Sequence, residues 1–318
     1  MVALGRLLPR RRGRPSPPTV SPAVAPAEAS RWRLTPFLFL APALALVATF
    51  VVYPIASVIY YSFTDYDIIT TPEWVGLDNY QRLVGDPTFW KALTNSIIYL
   101  VATPILIVLS ISLAIVVNRQ LRGIHIFRAL YYVPAVSGSI AIGISWRWLF
   151  DRNGFVNSLL VSTGILDEPV AWLAEPDFIL PIAILLTVWA GIGYYAVIFV
   201  AGLQNVPEEL YDAAEIDGAN ALQKHWHVSI PALRPQIIFV AVISSLAALK
   251  VFDEIYVLTN RTGGILDSGV TVVFYLWRQA FVLSNAGYAS AIAIALLVLT
   301  LAFSIIYVRV LERRLEVA

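Results

Sequence analysis

Six apolar runs decide what this chain can become, near residues 36–61, 94–117, 126–149, 178–203, 236–258 and 288–309. At 1.5 Å of rise per residue, each is long enough as a helix to cross the ~30 Å hydrocarbon core of a bilayer. Polar, Pro or Gly clusters bound every run, as they do at helix ends. Of the 318 residues, 58% are hydrophobic and only 14% charged, whereas soluble domains carry about 25% charged residues. That leaves too few charges to cover a water-facing surface of this size. The sequence therefore predicts an all-α integral membrane protein with six transmembrane helices over residues 35–310. A basic, Pro-rich tail (1–34) precedes them and a short tail (311–318) follows.

Charge distribution orients the helices. Arg6, Arg10, Arg11, Arg12, Arg14, Arg31 and Arg33 crowd the N-terminal tail. Arg119, Arg122 and Arg128 sit at the second connection, Lys224 and Arg234 at the fourth, and Arg309, Arg313 and Arg314 at the C-terminus. The other side is sparser in Lys and Arg and richer in acids and in Trp74, Trp90, Trp148 and Trp172. The positive-inside rule then puts both termini and residues 204–235 on the cytoplasmic side of a multi-pass membrane protein. The tail itself reads as disordered. Arg10–Arg12 suggest a twin-arginine signal, but about twenty polar or Pro-rich residues separate them from an apolar run too long for such a signal.

Residues 207–235, PEELYDAAEIDGANALQKHWHVSIPALRP, are polar yet full of helix signals. Pro207 suits a first helical position, and Glu208 and Glu209 favour a first turn. Leu210, Ala213 and Ala214 share one face. Gly218 can end this helix in the left-handed conformation, and Asn220 can cap a second one bearing Leu222 and Trp226. Pro231 and Pro235 close the unit. Two short helices with a small Ala face fit a partner's cleft; an amphipathic hairpin anchored on the bilayer by Trp226 is the alternative.

No catalytic constellation is visible. The three lysines (Lys91, Lys224, Lys250) follow no glycine, so a GxxxxGK[ST] phosphate loop is missing. Cysteine is absent, no Ser sits in a GxSxG elbow, and His225 and His227 point apart on a helix. The intramembrane charges are another matter, because charges at that depth usually face a bundle interior or a water-filled cavity. Lys250, Asp253 and Glu254 have the i, i+3 and i+4 spacing that lets Lys250 pair with either acid on a helix. They can line a solute path, relay protons in a secondary transporter, or simply fix the helix. Trp189, Tyr194 and Tyr195, flanking Gly191 and Gly193, can contact a solute or pack a helix seam. Pro134, with Gly138 and Gly143 after it, would loosen the third span.

The string DAAEIDGA followed ten residues later by IPALRP resembles the "EAA" signature of permeases of ATP-binding-cassette (ABC) importers. WVGLDNYQRL, DPTFWKALTNS, FRALYYVPAVSG, WRWLFDRNGFVNSLL and VFDEIYVLTNRTGG are similar to pieces of the carbohydrate (maltose-type) branch, in family order from about residue 36 to 310. Asp212 stands where the signature usually has Glu, and His225 where an apolar or aromatic residue is common. The resemblance implies that residues 204–235 form a coupling loop seated on an ATPase subunit. Asp212, Ala213, Ala214 and Gly218 would be its docking core, and Asp217 and Pro231 would shape the corner and the return to the membrane. It implies a second permease, usually different, two ATPase subunits that use ATP and Mg, an extracytoplasmic solute-binding protein, and a small-molecule solute, with no nucleic acid. This chain would bind no cofactor or metal itself. A sugar or related polyol is the implied cargo; glycerol phosphate or another non-sugar solute is the rival within the family.

Overall fold

The computed structural model describes residues 35–118 and 123–315. The predicted tail 1–34, Arg119, Arg122 and residues 316–318 lie outside them. Helices dominate. The chain divides into two units, Met1–Tyr53 and Pro54–Ala318. Of the first, helix α1 (Thr35–Val47) and a π-helical turn (Ala48–Val52) are described. Next come α2 (Tyr53–Tyr61) and a two-stranded antiparallel ribbon, β1 (Thr64–Asp65) with β2 (Glu73–Trp74). Then follow α3 (Asp78–Gly85), α4 (Pro87–Tyr99), α5 (Ala102–Val117), α6 (Ile124–Val136), α7 (Ser139–Leu149), α8 (Phe155–Ser162) and α9 (Pro176–Leu203). The chain continues through α10 (Glu208–Ile216), α11 (Ala221–Lys224), α12 (Ile230–Ala232), α13 (Arg234–Leu249) and α14 (Asp253–Leu258). It ends with α15 (Val272–Trp277) and α16 (Ala286–Leu315).

Among the described residues, four helices are long and apolar enough to cross a membrane: Phe39–Tyr61, Pro87–Val117, Pro176–Leu203 and Ala286–Tyr307. Counting each bent pair as one span raises the number to six. The bends are where the sequence reading needs correcting. The third apolar run is two helices, α6 and α7, meeting at 94°. Pro134 lacks a backbone donor, and Ser137 and Gly138 are extended (ψ 143° and 132°), so the helical ladder stops there. The fifth run ends as a helix at Leu249. Lys250 and Phe252 leave helical geometry, with Phe252 at φ −141°, before α14 starts at Asp253. At the far end, α16 runs on to Leu315, past the boundary at 310.

Packing centres on α9. Ala183, Leu186, Phe199 and Leu203 along it are buried, in common clusters with Ala102, Leu106, Ala114 and Val117 of α5. Small residues allow close approach, the usual device where lipid supplies no hydrophobic drive between helices. A Cβ on Gly193 would lie 2.3 Å from the Tyr131 carbonyl oxygen, so α6 rests directly on the α9 backbone there. Outside the apolar segments, Asp86 ties the ends of several helices together. Its side chain accepts from the Thr88 amide at the start of α4 (2.9 Å). It also accepts from the hydroxyls of Tyr275 (2.5 Å) and Tyr288 (2.6 Å) on α15 and α16. Burial pushes this carboxyl up, but the two tyrosine hydroxyls and the Thr88 and Phe89 amides together hold it below the ordinary Asp range.

Candidate functional site

Both helix breaks face one cavity of about 440 Å³, lined by residues of α4, α5, α6, α7, α9, α13 and α14, a size typical of small-molecule sites. One wall is aromatic, with Tyr194 and Tyr195 meeting edge to face at 5.1 Å. The opposite wall is the broken segment after α13, which contributes Lys250, Phe252, Asp253 and Glu254. Breaking the helix takes backbone groups out of the ladder and lets all five residues from Lys250 to Glu254 meet the same space. Ser139, the first residue of α7, donates its hydroxyl to Asp253 Oδ2 at 2.6 Å. That bond crosses from one break to the other. Deeper in, Tyr99 is wholly buried; its hydroxyl bonds the Ala183 carbonyl (2.9 Å) and lies 2.6 Å from Thr187 Oγ1.

Of the residues singled out in the sequence, Tyr194, Tyr195, Lys250, Asp253 and Glu254 line this cavity and Trp189 does not. Trp189 joins an aromatic seam, 5.7 Å from the Trp146 ring, which in turn stacks on Phe150 at 5.5 Å. The expected pairing of Lys250 with Asp253 or Glu254 is absent from the ion pairs among the described residues. It required continuous helix, and the chain is not helical between Leu249 and Asp253. Sequence reasoning missed Ser139, Thr187 and Tyr99. The Ser137–Gly138 break carried the only available hint for the first; the other two are ordinary polar positions on apolar helices.

The polar stretch 207–235 forms two short helices around a glycine corner. Helix α10 starts at Glu208, one residue later than expected, with Pro207 at its N-cap. Gly218 has φ +80°. The Ala219 amide bonds the Ala214 carbonyl and the Gly218 amide bonds Glu215, each at 2.9 Å, so the helix ends in a Schellman motif. Asn220 caps α11, and Gln223 reaches back to the Asn220 amide (2.8 Å), completing a capping box. Lys224 clamps the two helices through Glu215 at 2.5 Å; its hydrogen bond and charge hold that carboxyl below its ordinary value. Tyr211 and the buried Ser229 share a hydrogen bond of 2.9 Å. Asp212, Ala213, Asp217 and Gly218 are exposed, and Ala214 and Pro231 half-buried. Leu222 and Trp226 are also open to solvent. The unit leads into α13 by a 68° bend at Leu233, which is wholly buried against the lower bundle.

Comparison with known proteins fits this architecture. The chain is 36% identical over 301 residues to the arabinooligosaccharides transport system permease protein AraP of Bacillus subtilis, covering 91% of this chain and 94% of that one. It is 34% identical over 273 residues to the lactose transport system permease protein LacF of Rhizobium radiobacter, covering 84% and 91%. The fold is shared with a crystal structure of a bacterial ABC transporter involved in the import of the acidic polysaccharide alginate. There the TM-score is 0.74 at 20% identity, over 88% of this chain and 95% of that chain. Residues 86–317 match the family described as "Binding-protein-dependent transport system inner membrane component". With most of its length inside that match, the chain belongs to the family of inner-membrane components of binding-protein-dependent transport systems.

Proposed function

We propose that this chain is a permease subunit of an ATP-driven importer for a sugar or related polyol, forming half of the translocation path. The observation that carries the reading is family membership, joined to relatives that transport lactose and arabinooligosaccharides. The cavity supports it, because tyrosine faces beside hydroxyl and carboxyl groups are what a saccharide's apolar ring faces and hydroxyl rims require. ATP and Mg are used by separate ATPase subunits, two of them. A second, homologous permease supplies the other half of the path, and a solute-binding protein delivers cargo outside. Both termini and the loop 207–235 lie in the cytoplasm.

The loop is the mechanical joint. Asp212, Ala213, Ala214, Asp217 and Gly218 meet the ATPase, and Pro231 turns the chain back toward the bilayer. Movement there passes through Leu233 into α13, a 16-residue helix and so about 24 Å long. At its far end Lys250, and past the break Asp253 and Glu254 of α14, line the cavity. Closure of the ATPases thus acts on the solute path through one rigid rod, with breaks on either side of the cavity to absorb the motion.

Uptake of radiolabelled oligosaccharides into right-side-out membrane vesicles loaded with ATP tests the reading. Uptake should stop with ATP depletion or vanadate and survive an uncoupler. Collapse with the uncoupler alone would instead assign Asp253 or Glu254 to a proton pathway.

A further inference from the structure

Charge within the cavity has a consequence for cargo beyond "a sugar". Lys250 is the sole cation among the residues that line it, and it is exposed. Asp253 and Glu254 are more enclosed than Lys250 and stand next to each other at the start of α14. Neither acid is neutralised by an ion pair with Lys250. Ser139 takes one oxygen of Asp253, and Oδ1 receives no hydrogen bond among the described residues. The hydroxyls of Ser137 and Ser244 turn back onto the Val133 and Val240 carbonyls of their own helices. What the cavity offers a ligand is therefore two carboxyl side chains and aromatic faces, with the Tyr194 and Tyr195 hydroxyls and one ammonium as donors.

We propose that this cavity selects saccharides by charge: it accepts uncharged sugars, whose hydroxyls donate to the Asp253 and Glu254 side chains, and rejects sugars bearing a carboxylate, sulfonate or phosphate. An anionic group placed beside the two acids would give up part of its hydration and meet repulsion from Asp253. A hydroxyl placed there donates a charge-assisted hydrogen bond. The inference rests on the proposed sugar path and names its cargo class. It also separates this chain from the alginate importer that shares its fold, since a common backbone says nothing about the charge of the path.

Saturation-transfer NMR on the purified native complex, without binding protein or nucleotide, isolates the permease from the selectivity of the delivery step. The probes are a panel of neutral di- and trisaccharides of glucose, galactose and arabinose, and uronate oligomers of the same lengths. The natural complex should bind at least one neutral sugar at least about tenfold more tightly than any uronate. Asp253→Asn with Glu254→Gln should shrink that ratio to within about twofold. Uronate binding equal to or tighter than neutral binding, or a ratio unmoved by the double variant, overturns the charge rule and leaves the sugar path standing. Binding of neither class overturns both. Recovery of each variant complex with unchanged elution and melting behaviour guards against misfolding, and Ser139→Ala serves as a second, milder probe of Asp253. It should weaken neutral binding less than Asp253→Asn does.

Discussion

The loop 207–235 and the cavity are built in opposite ways. The loop's structure comes from neighbours in sequence: a left-handed glycine, a capping box three residues wide, and a Lys224–Glu215 contact across the corner. The cavity comes from residues far apart, such as Ser139 with Asp253 and Tyr99 with Ala183 and Thr187. Under the proposed function, a loop that presses on another protein benefits from being stiff by itself, and a cavity that opens alternately to two sides needs walls from different bodies, joined at breaks.

The comparison is broken most severely by Gly193→Val. The new side chain must displace the Tyr131 backbone, separating α6 from α9 at a cost of about 3 kcal/mol. A large drop in melting temperature in detergent, with loss of uptake, is expected. Gly191→Ala meets the end of the Leu106 side chain at 3.0 Å and the Tyr195 ring at 3.4 Å, both side chains rather than backbone, and should be far milder. If the two behave alike, the close approach of α6 to α9 does not set the cavity wall.

Asp86→Asn comes next. It weakens the contacts to Tyr275 and Tyr288 and should cost about 2 kcal/mol, read as thermal stability. The same carboxyl sets a pH dependence. Its folded value is depressed, so its contribution is fully present above the ordinary Asp range and is lost as pH falls below about 4 toward that lower value. The natural protein should lose stability there more steeply than the Asn variant.

Within the loop the effects are smaller because the determinants are local. Gly218→Val has room but must hold φ at +80°, costing about 1–2 kcal/mol of loop stability. Gly218→Asn, which tolerates that conformation, should retain most of it. Hydrogen exchange of the amides of 208–224 reports the difference. Glu215→Gln removes an exposed ion pair and should leave exchange and melting unchanged within error. A strong effect would mean that the clamp, and not the Schellman corner, stiffens the loop.

This same contrast explains what was legible in the sequence. Gly218, Asn220 and the helices on either side were readable because turn and cap chemistry depends on a few adjacent residues. The apolar runs were readable from length alone, but not their interruptions. Pro134 signalled the first break without its 94° angle, and nothing in LKVFDE announced that the helix stops at Leu249. That one break turned an expected Lys250–acid pairing into a cavity wall. Trp189, grouped by sequence with Tyr194 and Tyr195, points to a different seam. Tyr99 and Thr187 were invisible because their roles arise only when α4 meets α9.

The central claim is that the loop 207–235 is the joint to an ATPase. Co-purification of the tagged chain from its native membranes in mild detergent, beside its Gly218→Val variant, tests it most directly. The natural chain should bring down an ATPase and a second multi-span permease. The variant should keep the permease and lose the ATPase. An ATPase retained in full by a variant whose loop is shown by hydrogen exchange to be loosened, or no ATPase with the natural chain even after cross-linking, would contradict the account.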